Sequence, residues 1–238
     1  MSMEIWRVEL DRSAAALAEA EHACRVLSEP EAARAAAIKD VIDRARWSAS
    51  HVALRLLIER ACGAQMRRQP FVVAPGGRPE LGNAPVSFSL SHSGDVAMIA
   101  ICSTAAGPIG IDVECVRKLR MSAERRARIE AFAEYLVPGL DLPADSEARV
   151  LQSWVHVEAL AKANGAGIGK TLTQAGLIGS PKPAETRKGE GAAFAVRDLD
   201  AGSGYYAAVA ARVLPETLKV VAFPWDRESV LGLLPGHL

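Results

Sequence analysis

Residues 86–102, VSFSLSHSGDVAMIAIC, constrain the fold more than any other stretch of this chain. Val86, Phe88 and Leu90 alternate with polar residues, Ser93-Gly94-Asp95 interrupts the run, and an apolar segment follows, a pattern that reads as strand, turn, strand. Gly107-Pro108 makes a further break, after which IGIDVE reads as a short strand over residues 109–114. A second hairpin is expected near the C-terminus, from AFAVRDL through a turn at 201–204 to YYAAVAARVL. Each hairpin follows a long helical region, and in each the second strand is small and alanine-rich, which hints at two similarly built halves without a fixed repeat period.

The helical regions are legible from periodicity and breakers. EIWRVEL reads as a strand and is followed by an alanine-rich helix over Ser13–Leu27. One longer helical region is expected from Pro30 to Cys62, with Val41, Ile42, Ala45, Ala49, Val52, Leu56 and Ile58 at roughly helical spacing and Gly63 as its stop. Arg34, Lys39, Arg44, Arg46 and Arg55 are interleaved along it, as on a solvated face. The Gly76-Gly77-Arg78-Pro79 stretch reads as a turn. A charged helix over Met121–Leu136 and an amphipathic one over Glu147–Ala163 follow, and the polar, Pro- and Gly-rich residues 180–191 read as a loop.

Composition closes off several classes of function. At 238 residues the chain is one large domain or two small ones, on a prior of ~150 residues per domain. Lys plus Arg (28) equals Asp plus Glu (28), so no bulk charge draws it to nucleic acid or to an anionic membrane. The four cysteines lie far apart, with no C-x-x-C pair, as expected of buried thiols in a reducing compartment. The first residues carry acids and no continuous apolar core, unlike a signal peptide, and the longest apolar run is broken by Gly107-Pro108 before it could cross a bilayer. A cytoplasmic protein is expected.

Three features carry chemistry. HVEALAKANGAGIGKT ends in Gly169-Lys170-Thr171, like a phosphate-cradling loop, but that loop needs a glycine where Asn164 stands and a strand where the chain is helical. The helix itself stacks Trp154, Glu158 and Lys162 at i, i+4 and i+8 along one face, a spacing that by itself is worth no more than an exposed Glu–Lys pair. Asp112 and Glu114, at i and i+2 of a strand, direct two carboxylates to one side, where they repel unless a proton or a cation is shared. Such an oxygen-only set suits Mg²⁺, with Mn²⁺ as the alternative. Ser91 and His92 stand just before a turn, where side chains and backbone N–H groups can meet an anion; the G-x-S-x-G context of a serine hydrolase is missing.

Taken in order, FSLSHSG, then IGIDVE, then WVHVEALAKANGAGI resemble the surfactin-synthetase (Sfp) type of 4′-phosphopantetheinyl transferase, whose pattern is a G-I-D-x-E strand followed by a W-x-x-K-E-[SA]-x-x-K helix. The stretch from Leu27 to Ile58 looks like that family's Arg-rich helix and GGRPEL like its G-[KR]-P turn, so the resemblance covers about Ser28 to Gly169. It implies an α+β fold of two similar α/β subdomains in pseudo-twofold arrangement, residues 1–107 and 108–238, with coenzyme A and metal in the cleft between them. It implies transfer of the phosphopantetheine arm of coenzyme A to a serine of an apo acyl or peptidyl carrier protein by a monomer.

The resemblance also assigns residues. Asp112 and Glu114 hold the metal, with Glu134, in RIEAFAEY, as third ligand. Glu158 takes the proton of the carrier serine, and Lys162 neutralises phosphate charge. Arg46, Ser91 and His92 meet the 3′-phosphate, Arg78 lies near the adenine and phosphates, and Arg34 adds to the patch. In one place the chain departs from the pattern: Val157 stands where the family has the lysine before the glutamate. Weaker coenzyme A binding or slower transfer is the expectation, with a non-catalytic relative that binds coenzyme A or a carrier as the alternative.

Overall fold

A computed structural model describes residues 3–74, 77–82, 84–165, 167–174 and 194–234. Gly76 and the polar stretch 180–191 lie outside the described residues. The first strand, β1 (Glu4–Glu9), leads directly into α1 (Leu10–Cys24). The region expected as one helix is two, α2 (Glu29–Ala37) and α3 (Val41–Cys62). The reason is a pair of capping residues. Ser28 and Glu31 form a capping box at the start of α2, and the Asp40 side chain accepts from the N–H groups of Ile42 and Asp43, both at 2.9 Å, to start α3.

A short pair, β2 (Val72–Val73) and β3 (Pro79–Glu80), precedes the hairpin of β4 (Val86–Ser93) and β5 (Val96–Ser103). Then come β6 (Ile109–Cys115), α4 (Ala123–Leu136), α5 (Ser146–Asn164) and α6 (Ile168–Gln174). The second hairpin is β7 (Ala195–Leu199) and β8 (Tyr205–Ala211), followed by β9 (Val220–Ala222) and α7 (Arg227–Leu231). The two larger sheets have strand orders β4-β5-β1-β9 and β6-β8-β7. Strands β4, β5 and β1 are antiparallel neighbours, whereas β9 pairs β1 in parallel, so the C-terminal end of the chain returns to the sheet built by its N-terminal half.

The apolar, alanine-rich strands are explained by what lies on each side of them. In β5, Ala97, Ile99 and Ile101 face a core shared with α1 and α3, while Val96, Met98, Ala100 and Cys102 face a second core shared with β6 and β8. Successive side chains alternate across a strand, so a strand buried on both faces loses its polar positions. In β8 the same rule sends Ala207, Val209 and Ala211 to the core between the sheets, and Ala208 and Ala210 against Val155, Ala159 and Ala163 of α5. The molecule is thus α+β and layered: α1 and α3, the first sheet, the second sheet, α5, and α4 outermost against α5.

Candidate active site

The site is assembled where α5 crosses β6. Asp145 caps α5 through the Ala148 N–H at 2.9 Å, and Gly165, at φ 65°, ends it. Between these ends the helix lies directly on the strand, which Gly110 permits: a Cβ there would sit 2.1 Å from the Ala159 carbonyl oxygen and 2.4 Å from the Ala163 nitrogen. That close approach delivers Glu158 and Lys162 to Asp112.

Asp112 is 3% exposed, and its Oδ1 accepts from Lys162 Nζ at 2.6 Å and from Ser91 Oγ at 2.7 Å. Lys162 Nζ also donates to the Ile111 carbonyl at 3.1 Å. Asp112 Oδ2 is buried and accepts no hydrogen bond among the described residues. Burial pushes the Asp112 carboxyl above the usual range, the Lys162 and Ser91 contacts oppose this, and Glu114 adds to it. Glu158 is raised to about 7, first by burial and then by the Asp112 carboxylate, with Lys162 pulling it down and Glu114 pushing it up. Glu114 itself accepts from Ser93 Oγ at 2.9 Å and is ion-paired with Arg117. Asp112 and Glu158 therefore share the Lys162 ammonium, and Glu114, neutralised by Arg117, adds its field from the side.

Glu158 and Lys162 open onto a cavity of about 380 Å³, whose walls include His51, Phe71, Arg78 and Phe88. A hollow of about 250 Å³ shares Arg78, Pro79 and Phe88 with it but is lined by none of Asp112, Glu158 and Lys162. The cavity beside the acids is the candidate site, because the perturbed carboxyl of Glu158 faces it together with Lys162.

The expected residues fall into two groups. Asp112, Glu114, Glu158, Lys162, Ser91 and Arg78 are brought to the acid cluster or its cavity. Arg78 is held there by an ion pair with Glu80 and by donating to the Ala163 carbonyl at 3.3 Å. Ser91, expected to meet phosphate, instead turns its hydroxyl onto Asp112. His92 stands exposed on β4, yet surrounding protein, then the charges of His51 and Lys162, hold its imidazole below its ordinary value.

Arg46 is engaged elsewhere, in a two-bond pair with Asp11 at 2.9 and 2.6 Å, although its charge still reaches His92. Arg34 is exposed on α2 and does not line the cavity. Glu134 is not brought to the acids either. It is exposed near the end of α4, where its Oε1 accepts from the Gly139 N–H at 2.8 Å. Glu158, not Glu134, is the helical carboxylate beside Asp112, because α5 lies directly on β6 across Gly110.

Val157 is turned away from the acids. It is fully buried in the seam between α4 and α5, in a cluster with Ile129 and Val150 against which Phe132, Leu136 and Trp154 pack. A side chain at this position meets the hydrophobic seam rather than the cavity, so the missing lysine leaves no gap beside Glu158. His156, on the other flank, donates from Nε2 to Asp198 Oδ1 at 2.6 Å and is likewise turned from the cavity.

Reading the sequence missed His51, Phe71, Ser93 and Gly110. His51 stacks on Trp47 with ring centroids 3.8 Å apart and bonds Glu31 through Nδ1 at 3.1 Å. Its signal, an i+4 spacing from Trp47, is common on any helix. For Ser93 the signal was available: the alternation Ser89, Ser91, Ser93 marks a hydroxyl face on a strand.

Among the described residues no group of three or more His, Cys, Asp or Glu side chains is arranged to hold a metal ion. The pair Asp112 and Glu158 nonetheless fits a hard cation. Asp112 Oδ2 is a buried acceptor without a donor, Glu158 is destabilised as an anion by its neighbour, and Mg²⁺ characteristically takes one or two carboxylates together with substrate phosphates and water.

No protein-family model matches the chain. It is similar to a protein of Synechocystis sp. provisionally named a 4′-phosphopantetheinyl transferase, with 29% identity over 154 residues, 63% of this chain and 61% of that one. It is also similar to the 4′-phosphopantetheinyl transferase AcpT of Salmonella typhimurium, with 28% identity over 125 residues, 52% of this chain and 60% of that one. The chain thus spans about three fifths of the length of the curated relatives it matches.

Proposed function

We propose that this chain transfers the 4′-phosphopantetheine arm of coenzyme A to a serine hydroxyl of an apo acyl or peptidyl carrier protein and releases adenosine 3′,5′-bisphosphate. The observation that carries the reading is the Glu158 carboxyl, raised to about 7 beside Asp112 and opening onto the cavity with Lys162. A base is most effective when its pKa lies near the working pH. Both curated relatives bear the name of this activity.

In the reaction the carrier serine oxygen attacks the phosphorus that bears the pantetheine arm. Its proton passes to Glu158, directly or through a water. The bond from that phosphorus to the bridging oxygen of the leaving bisphosphate breaks, and negative charge grows on that oxygen. Lys162, which reaches the acids from the same helix face, offsets this charge, and Arg78 and His92 supply the cationic and hydrogen-bonding rim for the remaining phosphates. Arg46, paired with Asp11, and Arg34 on α2 would reach the 3′-phosphate only from outside the cavity. Asp112 and Glu158, with Glu114 behind them, would hold Mg²⁺ or Mn²⁺, which supplies charge neutralisation at the pyrophosphate when bound.

The reading carries with it two subdomains, residues 1–107 and 108–238, with β9 and α7 of the second returning to the core of the first, the site in the cleft between them, and a cytoplasmic monomer without a nucleic-acid or membrane partner. No helix of the described residues is long and apolar enough to cross a membrane. The non-catalytic alternative drew on Val157, and that residue belongs to the α4–α5 seam. The deciding test is to incubate the full chain with Mg²⁺, coenzyme A and an apo carrier protein, then weigh the carrier by mass spectrometry. A mass gain of one phosphopantetheine arm, lost in Asp112→Ala, is expected; no gain on carriers from fatty-acid, polyketide and nonribosomal-peptide systems would overturn the assignment.

A further inference from the structure

The two larger sheets meet along two edge strands, β4 and β6, and no backbone ladder joins these strands among the described residues. An edge strand leaves half its N–H and C=O groups without a strand partner, and where such groups are buried something else must meet them. Here serine hydroxyls do. Ser89, Ser91 and Ser93 occupy alternate positions of β4, so the pleat turns all three to one side. Ser89 Oγ accepts from the Ile111 N–H at 3.1 Å, and Ser93 Oγ accepts from the Cys115 N–H at 3.1 Å. These two bonds fix the register of the strands: residue 89 beside 111, residue 93 beside 115.

Two of the three hydroxyls reach further than the backbone. Ser91 Oγ donates to Asp112 Oδ1 at 2.7 Å, and Ser93 Oγ donates to Glu114 Oε2 at 2.9 Å. Carboxylates two residues apart on one strand face repel each other and, left alone, would turn apart toward solvent. A short hydroxyl standing at a fixed height on the neighbouring strand has few rotamers and holds the oxygen it donates to. Ser93 is the stiffer of the two, since its oxygen is itself tied to the Cys115 N–H.

We propose that Ser91 and Ser93 are positioning residues: their hydroxyls, presented from the edge of the first sheet, set the carboxylates of Asp112 and Glu114 on the edge of the second. The acids are then correctly placed only when the two sheets are in register, which couples the site to the seam between the halves of the molecule. This deepens the transferase reading and rests on it for its consequence in catalysis.

The test uses the full chain and Mn²⁺ alone, with binding followed by electron paramagnetic resonance. Ser91→Ala and Ser93→Ala are expected to weaken Mn²⁺ binding ~10-fold or more, as is typical when a group that orients a ligand is lost. Ser91→Thr and Ser93→Thr, which keep the hydroxyl, restore it. Ser89→Ala is the control for the seam, because its hydroxyl meets backbone and no acid: it lowers the melting temperature and leaves Mn²⁺ affinity unchanged. Equal Mn²⁺ affinity in Ser91→Ala, Ser93→Ala and the unaltered protein overturns the inference. So does an equal loss in Ser89→Ala, which would make the hydroxyls a structural seam and nothing more. Carrier modification separates this failure from that of the function: serine variants that keep full Mn²⁺ affinity while the unaltered protein modifies the carrier sink this inference alone, whereas an unaltered protein that binds Mn²⁺ but modifies no carrier sinks the transferase reading.

Discussion

Two clusters of buried charge lie a short way apart in this molecule and behave in opposite ways. In the first, Glu31 receives the Ser28 N–H at 2.9 Å, the Ser28 hydroxyl at 2.5 Å, His51 at 3.1 Å and a two-bond contact from Arg55, which is itself stacked 3.7 Å over the Phe71 ring. Its carboxyl is held at about 2: burial opposes ionisation, and the His51, Arg55 and Ser28 contacts together overcome it. In the second, Asp112 and Glu158 share the Lys162 ammonium while Glu114 is paired with Arg117, one carboxylate oxygen has no donor, and Glu158 is raised to about 7. Both clusters are costly to bury, but only the first is closed. A fully bonded acid–base pair holds a fold; a surplus of acid over base stores a demand for a proton or a cation, which is what a catalytic site requires.

The largest expected effect that would break this contrast is on rate. Glu158→Gln should lower carrier modification by ~10²–10⁴-fold, the range for losing a general base, measured as kcat by mass spectrometry. The same substitution should stabilise the fold at pH 8, by up to about 3 kcal/mol from the rise of the carboxyl above its ordinary value. If Glu158→Gln instead destabilised the protein at pH 8, the acids would be structural. Glu31→Ala should do the reverse of Glu158→Gln: it strands Arg55 without its partner and costs about 3–5 kcal/mol in urea unfolding.

Two packing changes come next. Gly110→Ala forces α5 off β6 and should cost ~1–3 kcal/mol in urea while lowering kcat, since Glu158 and Lys162 move with the helix. Val157→Lys, which restores the residue of the resembled family, should lower the melting temperature without improving KM for coenzyme A. It inserts an ammonium into the Ile129–Val150 seam, from which only its flexible stem could carry the charge out.

The smallest effects are those of pH, and the two clusters give opposite signs. Glu31, held at about 2, contributes stability that is present above about pH 4.5 and lost as pH falls toward 2. Glu158, raised to about 7, contributes most below pH 4.5 and loses that contribution as pH rises through 7. Over the same upper range Mn²⁺ affinity should climb, because proton and cation compete for the Glu158 carboxylate. An affinity that is flat from pH 5 to 8 would take Glu158 out of the metal site.

Much of this was legible in the residues. The alternation in β4, the apolar run of β5, the breaks at Gly94 and Gly107, and the helical spacing of Glu158 and Lys162 are local patterns. A local pattern survives whatever the rest of the chain does, because strand pleat and helix period act over a few residues. Even the echo between the two hairpins has a local signature, although its cause is burial of β5 and β8 on both faces. The division of the Pro30–Cys62 region was also encoded, in Asp40, and was overlooked because helical periodicity resumes on both sides of it.

Tertiary structure decided what periodicity has no means to express. Glu134 and Glu158 are the same residue type on two helices, and only the packing of α5 on β6 across Gly110 selects Glu158. Val157 and Glu158 are neighbours in sequence, yet the helix turn places one in a hydrophobic seam and the other beside Asp112. The serines of β4 find their acids across a seam between strands that share no backbone ladder, and β9 travels back to lie beside β1. Each of these contacts joins residues tens of positions apart or depends on which face an element buries. The sequence by itself determined the elements and the kinds of side chain they carry; which of those side chains would meet was decided by the close approach of one helix and two sheet edges.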